Sequence, residues 1–395
     1  MYKRIFLIVL DSLGVGAAND AHLYGDEGSD TLGSVLNARS DFNLENLTSL
    51  GLLNLASEKK FHQQDYKGVI AYLNETSKGK DTLTGHYEMM GLEVQKPFKT
   101  FTDTGFPSEL INTLEEKWGR GILGNISASG TKIIEDLGEE HVSTGKAIVY
   151  TSADSVLQIA AHEEVIPLDE LYRMCEIARE VTLNEEWKVA RIIARPFIGE
   201  TANSFTRTSN RKDYALDPFN KTYLDNLSNN DLSVIGIGKI ADIFNNKGIT
   251  KAIKTKSNAD GMDKTIEIVR NEDFKGLCFV NLVDFDSKYG HRRDALGYLE
   301  SLEEVDIKLG TMLHYMKDND LLIICADHGN DPGFKGSDHT REKVPFVAYS
   351  KNIKGGRMLE EQDNFACIGA SIMENFKVEK DDHQIGKSIL NEIIG

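Results

Sequence analysis

Cysteine is scarce in this chain and unpaired. Cys175, Cys278, Cys325 and Cys367 are scattered along 395 residues, and no Cys-x-x-Cys or other zinc-finger spacing exists. Cys278 and Cys325 fall inside apolar runs, where a small buried thiol is expected. Positive charge is short as well: 45 Lys and Arg stand against 62 Asp and Glu, a formal net charge of −17. A surface of that sign repels a phosphate polymer, which argues against nucleic acid as a partner. A small phosphorylated substrate is still allowed, because a few arginines and bound cations make one cleft locally positive. The only apolar run near the N-terminus, Ile5 to Leu10 before Asp11, is too short for a signal peptide or a membrane span. A cytoplasmic location without a membrane partner is therefore the expectation. Two phosphate-loop motifs are incomplete. Asp11-Ser12-Leu13-Gly14-Val15-Gly16 lacks the third glycine of a dinucleotide loop, and Gly145-Lys146 lacks the hydroxyl residue and upstream glycine of a nucleotide loop.

What is present describes a folded chain too long for one ordinary domain, with 40% hydrophobic and 27% charged residues. Apolar runs at 4–10, 276–283 and 321–326 read as buried strands, joined by weaker ones at 232–237 and 344–349. Between them, 239–246, 257–271 and 296–316 carry helical spacing. Such alternation predicts an α/β fold: a mostly parallel sheet flanked by helices. The middle differs. Helical segments at 107–118 and 168–182 stand among short β-like pieces at 147–151 and 190–194, between plausible hinges at Lys96-Pro97 and Asp217-Pro218. The expected organisation is a core of 1–98 and 220–395 with an inserted α+β cap at 99–219. The plainer alternative is that the middle continues one sheet.

Each of the three strong runs delivers an acid at its end. Asp11 follows the first, Asp286 and His291 the second, and Asp327, His328 and His339 the third. Ligands in open α/β sheets bind beyond the carboxyl ends of the strands. Three carboxylates and three imidazoles exceed what one tetrahedral ion needs and suit two, each with open positions for substrate oxygens. Oxygen and nitrogen donors without thiolates fit Mn²⁺ or Zn²⁺ better than Ca²⁺. Asp81-Thr82-Leu83-Thr84 precedes an apolar-periodic run, which puts Thr82 at a helix N-terminus, where an anion is stabilised. Thr82 there is a nucleophile or merely an N-cap, and Thr84 competes with it. Arg191, Arg195, Arg207 and Arg211, with Asn203 and Asn210, suit the distal phosphate of a sugar phosphate or form a solvated face. Ser152 and Asp154 end a short strand, placed for substrate hydroxyls or for capping.

The strings VLDSLGVG, GKDTLTGHYE, YTSADSV, ARPFIG, VDFDSKYGHRRD and ADHGNDP with GSDHTRE together resemble the phosphopentomutase family of the alkaline phosphatase superfamily. The likeness runs through almost the whole chain. It departs at Tyr87, where the family usually has Trp, and at Gly333, in a loop that often carries Thr. The resemblance implies an alkaline-phosphatase-like core and two Mn²⁺ per chain. One ion would be held by Asp11, Asp327 and His328, the other by Asp286, His291 and His339. It further implies that Thr82 is phosphorylated, that Ser152, Asp154, Arg191, Arg207 and Lys239 contact the sugar phosphate, and that a sugar bisphosphate primes the enzyme. The implied reaction interconverts ribose 1-phosphate, or its 2-deoxy analogue, with the 5-phosphate. The competing reading is a metal-dependent phosphatase or other hydrolase of the same superfamily.

Overall fold

The computed structural model of the chain describes residues 1–152 and 155–395, so Asp154 lies outside the described residues. Two compact units are present, Met1–Pro97 with Pro218–Gly395, and Phe98–Asp217.

The first unit is built on an eight-stranded sheet. Its strand order is Lys251–Ile253, Ser233–Ile237, Gly276–Leu282, Arg4–Leu10, Asp320–Cys325, Val344–Tyr349, Val69–Leu73 and Arg357–Met358. The first five run parallel, and Arg4–Leu10, Gly276–Leu282 and Asp320–Cys325 are buried along their whole length. Burial on both faces explains why these strands read as continuous apolar runs rather than alternating ones. Val344–Tyr349 pairs antiparallel on both sides, and Val69–Leu73, which the sequence reading does not mark, joins it. The expected helix at 239–246 shrinks to Ile240–Ile243, because Asn245 and Asn246 turn to φ of 46° and 63° and end it.

Register decides where the acids go. Leu10 lies opposite Leu282, and Val9 opposite Cys325, so Asp11 and the segments carrying Asp286 and Asp327 leave the sheet side by side. The other edge of the same strands is pinned by Arg4, fully buried, which grips both carboxylate oxygens of Asp320 at 2.8 and 2.6 Å. Removing one partner of such a buried pair costs about 3–5 kcal/mol.

The glycines of the incomplete loop motifs have local explanations. A Cβ on Gly14 would lie 2.2 Å from the Glu342 carboxylate, and one on Gly329 would lie 2.6 Å from it. Glu342 accepts hydrogen bonds from Thr31 N (2.9 Å), Thr31 Oγ1 (2.7 Å) and Thr340 Oγ1 (2.6 Å). The glycine turn thus accommodates a buried glutamate rather than a pyrophosphate.

The second unit has its own sheet, in the order Ile122–Ser127, Ala147–Thr151, Val156–His162, Arg191–Ile198 and Thr206–Arg207, with Lys212–Ala215 also pairing on Arg191–Ile198. Helices Ser108–Trp118 and Leu168–Val181 contribute Leu110, Leu114, Leu171 and Met174 to one apolar cluster with Leu157 and Ile159. A third helix, Gly130–Thr144, packs Ile133 and Ile134 on Ile148 and Phe197. Gly145 ends that helix at φ 71°, a left-handed position that suits glycine, which accounts for the Gly-Lys pair. Among the described residues no helix is long and apolar enough to cross a membrane.

Candidate metal centre and nucleophile

The six expected ligands come together at the carboxyl edge of the large sheet. His328 Nε2 lies 3.5 Å from Asp11 Oδ1 and 3.5 Å from Asp327 Oδ2. Asp286 faces the other two imidazoles: Oδ2 is 3.3 Å from His291 Nε2, and Oδ1 is 3.3 Å from His339 Nε2. The His328 and His339 rings are 4.1 Å apart, so the two clusters are neighbours. Two donor groups fall within 4.8 Å among themselves, Asp286 with His291 and His339, and Asp11 with Asp286 and His328. Asp286 therefore belongs to both, where the family resemblance implies that it serves one ion.

Local structure explains the convergence. After Leu282 the chain enters a π-helical turn, Phe285–Gly290, closed by His291 N to the Asp286 carbonyl at 3.1 Å. In an α-helix two residues five apart point about 140° away from each other; the wider π turn brings them to one side. Ser12 takes φ 68°, and its N–H donates to Asp327 Oδ1 at 3.0 Å, tying the first strand's end to the neighbouring one. His291 and His328 are each oriented through the far ring nitrogen. His291 Nδ1 meets the Ser337 carbonyl at 2.8 Å, and His328 Nδ1 meets the Gly329 carbonyl at 3.0 Å, which leaves Nε2 facing inward. Asn330 donates to Asp286 Oδ1 at 2.8 Å and is itself held by Arg293 at 2.7 Å.

The electrostatics are those of a site built for added positive charge. Burial, then the like charges of Asp327 and Asp286, raise the Asp11 carboxyl well above its usual range. Burial also pushes Asp286 and Asp327 upward. It is outweighed at Asp286 by His339 and His291, and at Asp327 by His328 and His86, so both end below their usual range. Asp11 Oδ1 and Asp327 Oδ2 are buried and make no hydrogen bond. Orphaned carboxylate oxygens beside an inward imidazole nitrogen fit a divalent cation.

Thr82 is the first residue of the helix Thr82–Met89, and the N-cap is Asp81, not Thr82. Asp81 accepts from Leu83 N (3.1 Å), Thr84 N (3.2 Å) and Thr84 Oγ1 (2.6 Å). The Thr84 hydroxyl is thereby committed to the cap, while Thr82 Oγ1 sits 3.2 Å from His328 Nε2. Geometry selects Thr82 over its neighbour. The preceding loop is clamped by Arg341, which donates to the carbonyls of Gly79 and Glu75, both at 2.6 Å. Gly85 lets the helix approach the chain leaving the Asp320–Cys325 strand: a Cβ there would lie 2.0 Å from the Asp327 carbonyl oxygen. Gly85→Ala is expected to cost about 1–3 kcal/mol of stability through overpacking. It should also lower activity at least tenfold by displacing Thr82, to be read from thermal unfolding and initial rates together.

Lys239 lies two residues beyond the Ser233–Ile237 strand, on the same sheet edge as the acids. In the second unit, Ser152 follows the Ala147–Thr151 strand, and Arg191 pairs with Val156, so both stand at one end of that sheet. Arg207 pairs with Phe197 at the other end, but its guanidinium lies beside Gly130, the first residue of its helix, as does the Tyr150 hydroxyl. Burial raises the Tyr150 pKa, opposed by Arg195, Arg207 and Arg211. Arg207 and this buried phenol thus meet beside one helix N-terminus. The sequence reading missed His86 and Asn281, both buried against the ligands. The one signal for Asn281 is an amide inside an otherwise apolar strand, GLCFVNL.

Acids and imidazoles at the carboxyl edge of a parallel sheet define a metalloenzyme class, and a family model described as the Metalloenzyme superfamily matches residues 3–380. The phosphopentomutases of Clostridium tetani (strain Massachusetts / E88) and Clostridium perfringens (strain 13 / Type A) are each 54% identical, over 398 and 396 residues, covering 100% of this chain and 99% of theirs. The chain belongs to the phosphopentomutase family and is an isomerase of the mutase type. In fold it is similar to the PH0037 protein from Pyrococcus horikoshii, with a TM-score of 0.50 at 14% identity, covering 96% of this chain and 99% of that one.

Proposed function

We propose that the chain interconverts ribose 1-phosphate, or 2-deoxyribose 1-phosphate, and the corresponding 5-phosphate through a phosphothreonine at Thr82. The observation that carries this is the Thr82 hydroxyl, 3.2 Å from His328 Nε2 beside two buried carboxylate–imidazole groups. Asp11, Asp327 and His328 would hold one Mn²⁺, and Asp286, His291 and His339 the other, with Asp286 near enough to serve both. When bound, the two ions neutralise charge on a transferring phosphoryl group and favour the ionised threonine oxygen. The phosphoryl group on Thr82 Oγ passes to the free hydroxyl of the bound monophosphate. Its bond to Oγ breaks, a bond to the sugar oxygen forms, and that hydroxyl releases its proton. The resulting 1,5-bisphosphate returns its other phosphoryl group to Thr82, leaving the isomeric monophosphate. A sugar bisphosphate supplies the first phosphoryl group by the same exchange. Arg207 and Arg191, with Ser152, Asp154 and Lys239, would hold the sugar and its second phosphate. The helix start beside Arg207 and Tyr150 suits an anion. A small phosphate ester rather than nucleic acid as substrate agrees with the charge of −17, and a cytoplasmic location without a membrane partner agrees with the short apolar run Ile5 to Leu10.

The test is an assay with Mn²⁺, ribose 1-phosphate and a trace of sugar bisphosphate, following ribose 5-phosphate and inorganic phosphate in parallel. Ribose 5-phosphate is expected to accumulate well ahead of free phosphate. Release of phosphate faster than isomerisation would assign the chain to the hydrolases instead.

A further inference from the structure

His86 and Asn281 carry no assigned role, yet each is buried behind the metal centre. His86 lies one turn along the helix from Thr82 and stacks on Phe279, with ring centroids 5.6 Å apart and planes inclined by 29°. Its Nδ1 is 2.8 Å from the Thr82 carbonyl oxygen and 3.2 Å from Asp327 Oδ2. Its Nε2 is 3.5 Å from the Asn281 amide nitrogen, which donates to Asp11 Oδ2 at 2.6 Å. The contacts form one chain: the nucleophile's backbone, His86, Asp327, and through Asn281 to Asp11. Both carboxylates that face His328 are therefore backed by this pair. Asp11 Oδ1 makes no hydrogen bond, and Asp327 Oδ2 has only the ion-pair contacts with His86 at 3.2 Å and His328 Nε2 at 3.5 Å.

A packing role does not account for an asparagine at this position. Asn281 is 1% exposed in an apolar strand, and its Oδ1 makes no hydrogen bond. A leucine or methionine would fill the space without that penalty. The amide is retained at a cost that its bond to Asp11 offsets, and fixing a ligand's orientation is what such outer partners do.

We propose that His86 and Asn281 act as one positioning unit that aims the Asp11 and Asp327 carboxylates at a divalent cation and locks the Thr82 helix to them. Loading of this half of the centre and placement of the nucleophile are then set together. The inference rests on the ligand assignment proposed above.

The test uses the full chain, stripped by chelator and titrated with Mn²⁺ while free Mn²⁺ is followed by electron paramagnetic resonance. Wild type is expected to show two sites. Asn281→Leu and His86→Phe should weaken one site about 10- to 100-fold and leave the other unchanged. His86→Asn, whose amide nitrogen replaces Nδ1, should recover most of the affinity. The double variant should bind no more weakly than the weaker single one, because both act through one connection. At saturating Mn²⁺ the substituted proteins should lose kcat with KM unchanged. Two sites of wild-type affinity in either variant, or equal weakening of both sites, would overturn the proposal. Should the apolar variants fail to fold by circular dichroism, Asn281→Ser is read against the same two outcomes. Asp11→Asn separates the premise from the inference: if it retains both sites, the ligand assignment fails, whatever His86 does.

Discussion

Thr82→Ala is expected to abolish pentose phosphate isomerisation, by about 10^4-fold or more, because the phosphoryl acceptor itself is removed. Thr82→Ser keeps a hydroxyl on the same carbon and should retain activity within about tenfold. The contrast with Thr84 makes the experiment decisive. Its hydroxyl lies 2.6 Å from the Asp81 carboxylate that caps the helix. Thr84→Ala should therefore cost about 1 kcal/mol of stability, while the protein still acquires phosphate. Loading each variant from a labelled sugar bisphosphate and mapping the phosphopeptide checks all three together. Label on Thr84 in the wild type, or undiminished turnover in Thr82→Ala, would remove the threonine from the chemistry.

Substitution of Asp286 should have the second-largest effect, and a different signature from any other ligand. Its two oxygens each lie 3.3 Å from an imidazole, and it belongs to both donor groups. Asp286→Ala is accordingly expected to empty both sites, whereas His291→Ala should empty only one. Losing the ions removes several kcal/mol of transition-state stabilisation, so activity should fall about 10^3-fold or more. Metal content after dialysis against Mn²⁺, set beside turnover, distinguishes the cases. An Asp286→Ala protein that keeps one tightly bound ion would show that the two clusters do not share this carboxylate.

The parts legible in the sequence were those governed by burial on both faces. Runs 4–10 and 344–349 match their strands residue for residue, the run 276–283 extends one residue past its strand, and the run 321–326 is shifted by one residue at both ends. The six acids and imidazoles could be gathered because each follows such a run. Less was visible where structure depends on a partner distant in sequence. Val69–Leu73 is held between Val344–Tyr349 and Arg357–Met358, both far along the chain from it. Gly130–Thr144 carries many polar residues, and its apolar face is completed by Ile148 and Phe197 from two separate strands. Asp81 as the cap, and so the choice of Thr82 over Thr84, could not be decided by spacing, since either hydroxyl stood at a plausible helix start. His86 and Asn281 acquire meaning only once Asp11 and Asp327 are adjacent.

The turn at Phe285–Gly290 constrains how this enzyme can vary. Its side chains at Ser287 and Lys288 are exposed and replaceable, but the number of residues is not. Deleting one would let the segment relax into ordinary α-helical winding and swing His291 roughly 100° around the axis. Drift in this segment is therefore free in chemical identity at Ser287 and Lys288, fixed at Asp286, and closed to insertion or deletion.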